Sequence, residues 1–201
     1  MIYSKKFFLF FLKISNGVIF LPLVEKKRGM RKIVLIGYMG SGKSTIGLEL
    51  ANKMNLSFYD LDQLIEENVG LPIKSIFDTK GELFFRKKEN ELLREFISNQ
   101  NDFVLALGGG TPCYYDNYKI YQKETITSFY LKGSIKELAS RLNLEKENRP
   151  LLANKTNEEL EEFIAKHLFD RSFYYHQVNH VVIVDNKTID DLVDEIAAKL
   201  A

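Results

Sequence analysis

The sequence lacks most of the features that assign a protein at a glance. It has a single cysteine, Cys113, so no internal disulfide can form and no CxxC knuckle can hold a metal. That usage favours a reducing compartment. An excess of one charge is also missing. Lys and Arg total 28 against 27 Asp and Glu, a formal net charge of +1. This excludes the broad basic field of a nucleic-acid binder and any acidic tail. There is no internal repeat and no low-complexity segment. Nor is there an unbroken apolar run. The stretch "MIYSKKFFLFFLKISNGVIFLPLVEKKRG" opens on lysines like a secretory signal, but Lys13, Ser15 and Asn16 interrupt it. A bilayer span needs about 20 apolar residues, and no small-x-small cleavage site follows cleanly. Met30 stands just before "RKIVLIG". Residues 1–29 are therefore expected to be an extension outside the fold, with 30–201 a single cytoplasmic domain that does not enter a membrane.

What is present is a packed, alternating chain. Hydrophobic residues make up 45% of the 201 and charged residues 27%, enough for one core. "KIVLIG" reads as a buried strand, apolar and β-branched, stopped by glycine. "KSTIGLELANKMN" follows as a helix with Ile46, Leu50 and Met54 on one stripe. "LSFYDLD" is a second strand. "GELFFRKKENELLREFIS" is a helix, with Leu83, Arg86 and Leu93 read onto one face. "FVLALGGG" and "TITSFYLKG" are further strands, "SIKELASRL" and "NEELEEFIAKHLFDRSFYYH" helices, and "HVVIVD" and "TIDDLVDEIAAKL" the last strand and helix. "EKENRPLLANKT" is polar and aperiodic and reads as mobile. This alternation predicts a three-layer α/β/α fold around a five-stranded parallel sheet. Its ligands would lie at the carboxyl ends of the strands, where "GYMGSGKST", "DLD" and "GGG" all fall.

Gly37, Gly42, Lys43 and Ser44 fit G-x-x-x-x-G-K-[ST], set between a strand and a helix. Glycines let backbone N–H groups converge on an anion, and the helix amino terminus adds partial positive charge. Gly40, Ser41, Gly42, Lys43, Ser44 and Thr45 are thus the candidate nucleotide-binding residues, with Lys43 reaching the β- and γ-phosphates and Ser44 offering a hydroxyl to Mg²⁺. A GTPase would also need NKxD. "NKMN" and "NKTN" lack the aspartate, "NKTID" places it one residue late, and "DTKG" satisfies the DxxG switch by chance. A large ATPase would end a long apolar strand in an acidic residue, whereas "FVLALGGG" ends in glycines. A small kinase remains.

The order and spacing of "GYMGSGKSTIG", "FYDLDQLIEENVG", "GELFFRKKENELL", "LALGGGTP" and "NRPLLA" resemble the shikimate kinase family over residues 31 to about 200. The resemblance implies a P-loop kinase of nucleoside-kinase-like fold with a lid at about 144–158. ATP and Mg²⁺ are its cofactors, and a monomer is expected. It would phosphorylate the 3-hydroxyl of shikimate, on the route to aromatic amino acids. Asp60 and Asp62 share a strand face. The resemblance gives Asp60 to the Mg²⁺ water shell and Asp62 to the substrate hydroxyls as orienting base, although an aspartate opening "DQLIEENVG" is also a good helix cap. Arg86 is read as a carboxylate clamp oriented by Glu89, against the alternative of an ordinary surface pair. Arg171 joins that clamp by resemblance alone. Gly108, Gly109 and Gly110 permit close backbone approach to the acceptor. Arg149, in the polar segment, would close onto the transferring phosphate, or else pair with Glu145 or Glu147 at the surface. At the adenine-stacking place upstream of the lid stands either Arg141 or Leu142, with Asp185 and Asn186 as further neighbours. His176 and His180 are read as surface residues and Cys113 as incidental. Other acceptors within the fold, gluconate or a nucleoside monophosphate, stay open, as does a non-catalytic ATP switch.

Overall fold

The computed structural model describes residues 11–14, 17–20, 31–144 and 155–200. Strands β1 (Phe11–Ile14) and β2 (Gly17–Phe20) form an antiparallel pair with Phe11 opposite Phe20. They form a two-stranded sheet of their own. The sequence reading has no strands there, because it weighs that stretch only as a membrane or export signal.

The main sheet is parallel throughout and runs β4 (Ser57–Asp60), β5 (Phe103–Ala106), β3 (Lys32–Ile36), β6 (Ile126–Lys132), β7 (His180–Ile183). From β3 the chain moves to one side for β4 and β5, then crosses to the other for β6 and β7. The carboxyl end of β3 therefore sits at the reversal, where such sheets open a crevice.

Alternate residues of β3 feed two cores. Ile33 and Leu35 pack with Ile46, Leu50 and Ala51 of α1 (Lys43–Met54) and with Leu192, Val193 and Ile196 of α6 (Ile189–Lys199). Val34 and Ile36 face the other way. They pack with Leu61 and Ile65 of α2 (Leu61–Val69), Phe85 and Leu93 of α3 (Ile73–Asn99), Leu138 of α4 (Ile135–Leu144) and Leu160 of α5 (Asn157–Tyr175). Burial on both faces is why β3 reads as continuously apolar. Each fully buried aliphatic side chain contributes about 1.5–3 kcal/mol.

Helix α3 departs from the reading in two ways. It starts at Ile73 rather than Gly81, and it kinks at Gly81, whose φ of 80° and ψ of 168° are not helical. Its inward stripe is Phe85, Glu89, Leu93 and Ile97 at four-residue steps, while Leu83 is 82% exposed. Ten residues at 100° each leave Leu83 about 80° round the helix from Leu93, at the edge of the stripe, where it stays in solvent. Helix α2 is likewise absent from the reading as an element, although its opening aspartate is noted there. Two short 3₁₀ turns, Thr111–Cys113 and Asn117–Lys119, join β5 to β6. The expected lid falls mostly on residues 145–154, outside the described residues, and Arg149 with it.

Candidate active site

At the end of β3 the chain turns through Gly37–Gly42 into α1. Gly40 and Gly42 take left-handed φ values of 78° and 88°, which an L side chain rarely adopts. Gly42 caps α1 without any side-chain hydrogen bond, so the first-turn N–H groups keep no side-chain acceptor and suit an anion. The Lys43 ammonium donates to Gly37 O and Tyr38 O, each at 3.0 Å, and so stays folded over the loop. Ser41 turns inward. It is buried, and a Cβ on Gly37 would lie 2.6 Å from its hydroxyl. Only its backbone faces the loop.

Ser44 Oγ donates to Asp60 Oδ2 at 2.8 Å, while Asp60 Oδ1 accepts the Asp62 N–H at 3.0 Å. Asp60, not Asp62, is thus the cap of α2. The helix-cap alternative weighed for Asp62 belongs to its neighbour, and the Asp62 carboxylate is left to face the cleft. A hydroxyl beside a carboxylate is a hard-oxygen pair of the kind Mg²⁺ takes alongside phosphate and water. Among the described residues no group of three or more His, Cys, Asp or Glu could hold a metal. The Ser44–Asp60 pair therefore fits an ion brought in with a nucleotide.

Asp62 is pushed up to about 6, first by burial, then by the nearby charges of Asp60 and Glu89, with Lys43 and Arg86 opposing. Its Oδ1 would lie 2.7 Å from a Cβ on Gly108. Gly110 is as tightly placed, since a Cβ there would meet Arg86 Nη2 at 2.8 Å. Gly109 presents its carbonyl to Arg171 Nη1 at 3.2 Å and to the Tyr175 hydroxyl at 2.6 Å. None of these three glycines has positive φ. What the turn requires at Gly108 and Gly110 is the missing side chain.

Arg86 is 13% exposed and donates through Nη1 to Glu89 Oε2 at 3.0 Å and through Nε to Glu82 Oε1 at 3.3 Å. It is no surface pair. Glu89 is fully buried, and its second oxygen accepts from Thr111 Oγ1 at 2.6 Å. Burial pushes the Glu89 carboxyl up, and Arg86 and Thr111 oppose it. Burial alone would lower the Arg86 pKa, but the Glu89 charge and hydrogen bond outweigh it and raise it.

A cleft of about 570 Å³ joins these parts. It is lined by Gly40, Gly42, Lys43, Ser44 and Thr45 of the turn and α1, by Asp60, Asp62, Gly108 and Gly109, and by Arg141, Lys187, Ile189 and Leu192. Arg86, Arg171 and Gly110 lie just beyond it, behind the glycine turn. Arg141 faces the cleft, held by Glu137 at 2.8 Å, whereas Leu142 is fully buried against Gly40. Of the two residues read at the adenine-stacking place, Arg141 lines the cleft and Leu142 does not. Asp185 instead accepts the Ser134 N–H at 2.9 Å.

One stripe of α5 touches both sides. His167 Nδ1 and the Tyr38 hydroxyl are 2.9 Å apart, and Arg171 and Tyr175 reach Gly109. Sequence reasoning misses Thr111, Tyr175, Lys187 and the Tyr38–His167 contact. Tyr175 has a signal: it lies four residues after Arg171, on the same helical face. His176 and His180 do not converge. His176 Nδ1 lies 2.8 Å from Ser172 O, while His180 stacks on Phe129 with ring centroids 5.1 Å apart. Burial raises the Cys113 thiol to about 11, leaving it unreactive at neutral pH.

A parallel sheet with a glycine-rich phosphate turn at its reversal, and carboxylates closing the next strand, defines a P-loop phosphotransferase. Residues 39–201 match the family model described as shikimate kinase. The shikimate kinase of Flavobacterium psychrophilum is 52% identical over 167 residues, covering 83% of this chain and 97% of that one. The crystal structure of shikimate kinase from Bacteroides thetaiotaomicron superposes with a TM-score of 0.79 at 34% identity, over 85% of this chain and 98% of that one. The enzyme from Acinetobacter baumannii, solved in complex with shikimate, gives 0.75 at 30% identity, over 84% and 92%. The chain belongs to the shikimate kinase family. No helix among the described residues is long and apolar enough to cross a membrane.

Proposed function

We propose that the protein transfers the γ-phosphate of ATP to the 3-hydroxyl of shikimate, giving shikimate 3-phosphate for aromatic amino acid synthesis. The observation that supports this most is that one cleft is lined both by Lys43 of the glycine-rich turn and by Asp60, Asp62 and Gly108. Asp62 orients the attacking hydroxyl and accepts its proton. A carboxylate raised to about 6 is largely ionised at pH 7 yet basic enough to take that proton. Gly40, Gly42, Lys43 and Thr45 hold the phosphates, with Lys43 leaving its own loop carbonyls to do so, and Ser41 contributes backbone only. Ser44 and Asp60 hold Mg²⁺, which when bound neutralises phosphate charge. Arg86 and Arg171 take the substrate carboxylate. Gly108, Gly109 and Gly110 let the ring lie against backbone. Arg149, carried by a lid at about 144–158, completes the charge on the transferring group and excludes water.

Residues 30–201 are the catalytic domain and 1–29 an appended segment. The enzyme acts as a cytoplasmic monomer with no nucleic-acid or membrane partner. ADP release measured with shikimate, gluconate and UMP side by side tests the reading. Turnover with shikimate alone is expected. Turnover with gluconate or UMP but not shikimate overturns it.

A further inference from the structure

Tyr114 lies outside every role assigned so far, yet the chain around it is unusually constrained. Its ring covers the Arg86 guanidinium at 4.1 Å, and the two line a second pocket with Glu82, Leu83 and Tyr115. Its hydroxyl donates to Glu82 Oε1 at 2.9 Å, the same oxygen that accepts Arg86 Nε. Arg86 is thus held from below by Glu89 and from outside by a Tyr114–Glu82 pair. Its Nη2 lies beside Gly110, 2.8 Å from where a Cβ on that glycine would be.

The segment carrying Tyr114 is fastened to α3 at three points. Thr111 Oγ1 donates to Glu89, and Asn117, fully buried, accepts from Asn90 Nδ2 at 2.6 Å while donating to Thr111 O at 2.9 Å. Arg94 Nη2 reaches Tyr115 O at 3.3 Å. Between these anchors Tyr115 and Asp116 both adopt left-handed backbone, with φ of 50° and 57°. Two successive non-glycine residues there are strained and persist only where surroundings impose them. The strain and the anchors have one shared product, a tyrosine ring set over the arginine.

We infer that Tyr114 is a positioning residue for acceptor binding: with Glu82 it locks Arg86 so that a single guanidinium edge is presented to the carboxylate of the substrate. A free arginine loses rotamer freedom on binding, and one already clamped does not. This rests on the shikimate reading above. Wild-type enzyme that does not turn over shikimate would sink that reading before Tyr114 is tested.

The experiment is steady-state kinetics of Y114L and Y114F against shikimate and ATP, with thermal melts of each. A cation–ring contact of this kind predicts a shikimate KM about three- to tenfold higher in Y114L, with kcat and the ATP KM unchanged. Y114F keeps the ring, and a smaller rise is expected. With the carboxamide of shikimate the ratio of Y114L to wild type should fall towards one, since Arg86 has no anion to hold. An unchanged shikimate KM in Y114L overturns the proposal, as does an equal rise for ATP or an equal ratio with the carboxamide. Should Y114L not fold, Y114F decides: a selective rise in shikimate KM supports the clamp, and no rise overturns it.

Discussion

The two sides of the cleft are built from different material. The phosphate side is backbone: one contiguous turn from Gly37 to Gly42, two left-handed glycines and an uncapped helix start. The acceptor side is side chains on several elements: Asp62 on α2, Arg86 and Glu89 on α3, Thr111 after β5, and Arg171 on α5. Backbone cradles any phosphate and tolerates changes among neighbouring side chains. An assembly of paired charges is sensitive to the loss of any one partner. Changes on the phosphate side should therefore cost turnover with either substrate, and changes on the acceptor side should fall on shikimate alone.

The largest effect is expected at the border between the two. Asp62→Asn should lower kcat about 10²–10⁴-fold, read by ADP release at saturating shikimate. The same variant should be more stable than the wild type. The folded carboxyl sits at about 6 against 3.8 unfolded, so ionising it opposes folding. The penalty is absent below pH 3.8, grows as pH rises, and is complete above pH 6, at about 3 kcal/mol. Melts without Mg²⁺ should show the Asp62→Asn variant ahead at about pH 8 and level with wild type near pH 4. A constant difference across that range would place the cause elsewhere than in this charge.

Next comes Glu89→Ala, which strands a buried arginine and should cost about 3–5 kcal/mol, measured by urea unfolding. Leu50→Ala, fully buried on the opposite face, should cost about 2–5 kcal/mol while leaving both KM values in place. Gly110→Ala would put a methyl 2.8 Å from Arg86 Nη2. It should raise the shikimate KM about tenfold and spare ATP, since about 1–2 kcal/mol of displaced contact is at stake. An equal rise for ATP would erase the division between the two sides. Smallest is Lys53→Ala, which breaks an exposed pair with Asp194 and should change stability by less than about 1 kcal/mol.

The same division explains what could be read in advance. The phosphate turn was legible because its chemistry needs neighbours in sequence, and the alternation of apolar runs carried the parallel sheet. Strand order was not readable, because nothing local in β4 says that β5 will lie between it and β3. The sequence singles out Asp62 and Arg86, but for Arg86 the supporting stripe is wrong: the inward face runs Phe85, Glu89, Leu93 and Ile97, with Leu83 exposed. Asp60 hid its double service as cap and Ser44 partner, since either job alone accounts for an aspartate at a strand end. Tyr114 carried no signal at all, because its partners lie 28 and 32 positions earlier in the chain.

The stripe of α5 has a metrological consequence. His167 and Tyr175 are eight residues apart, about 12 Å along a rod, and they touch the donor turn through Tyr38 and the acceptor turn through Gly109. Phosphoryl transfer tolerates little error in the gap between its two oxygens. Here one helix, the same that carries Arg171, spans both jaws as a common gauge.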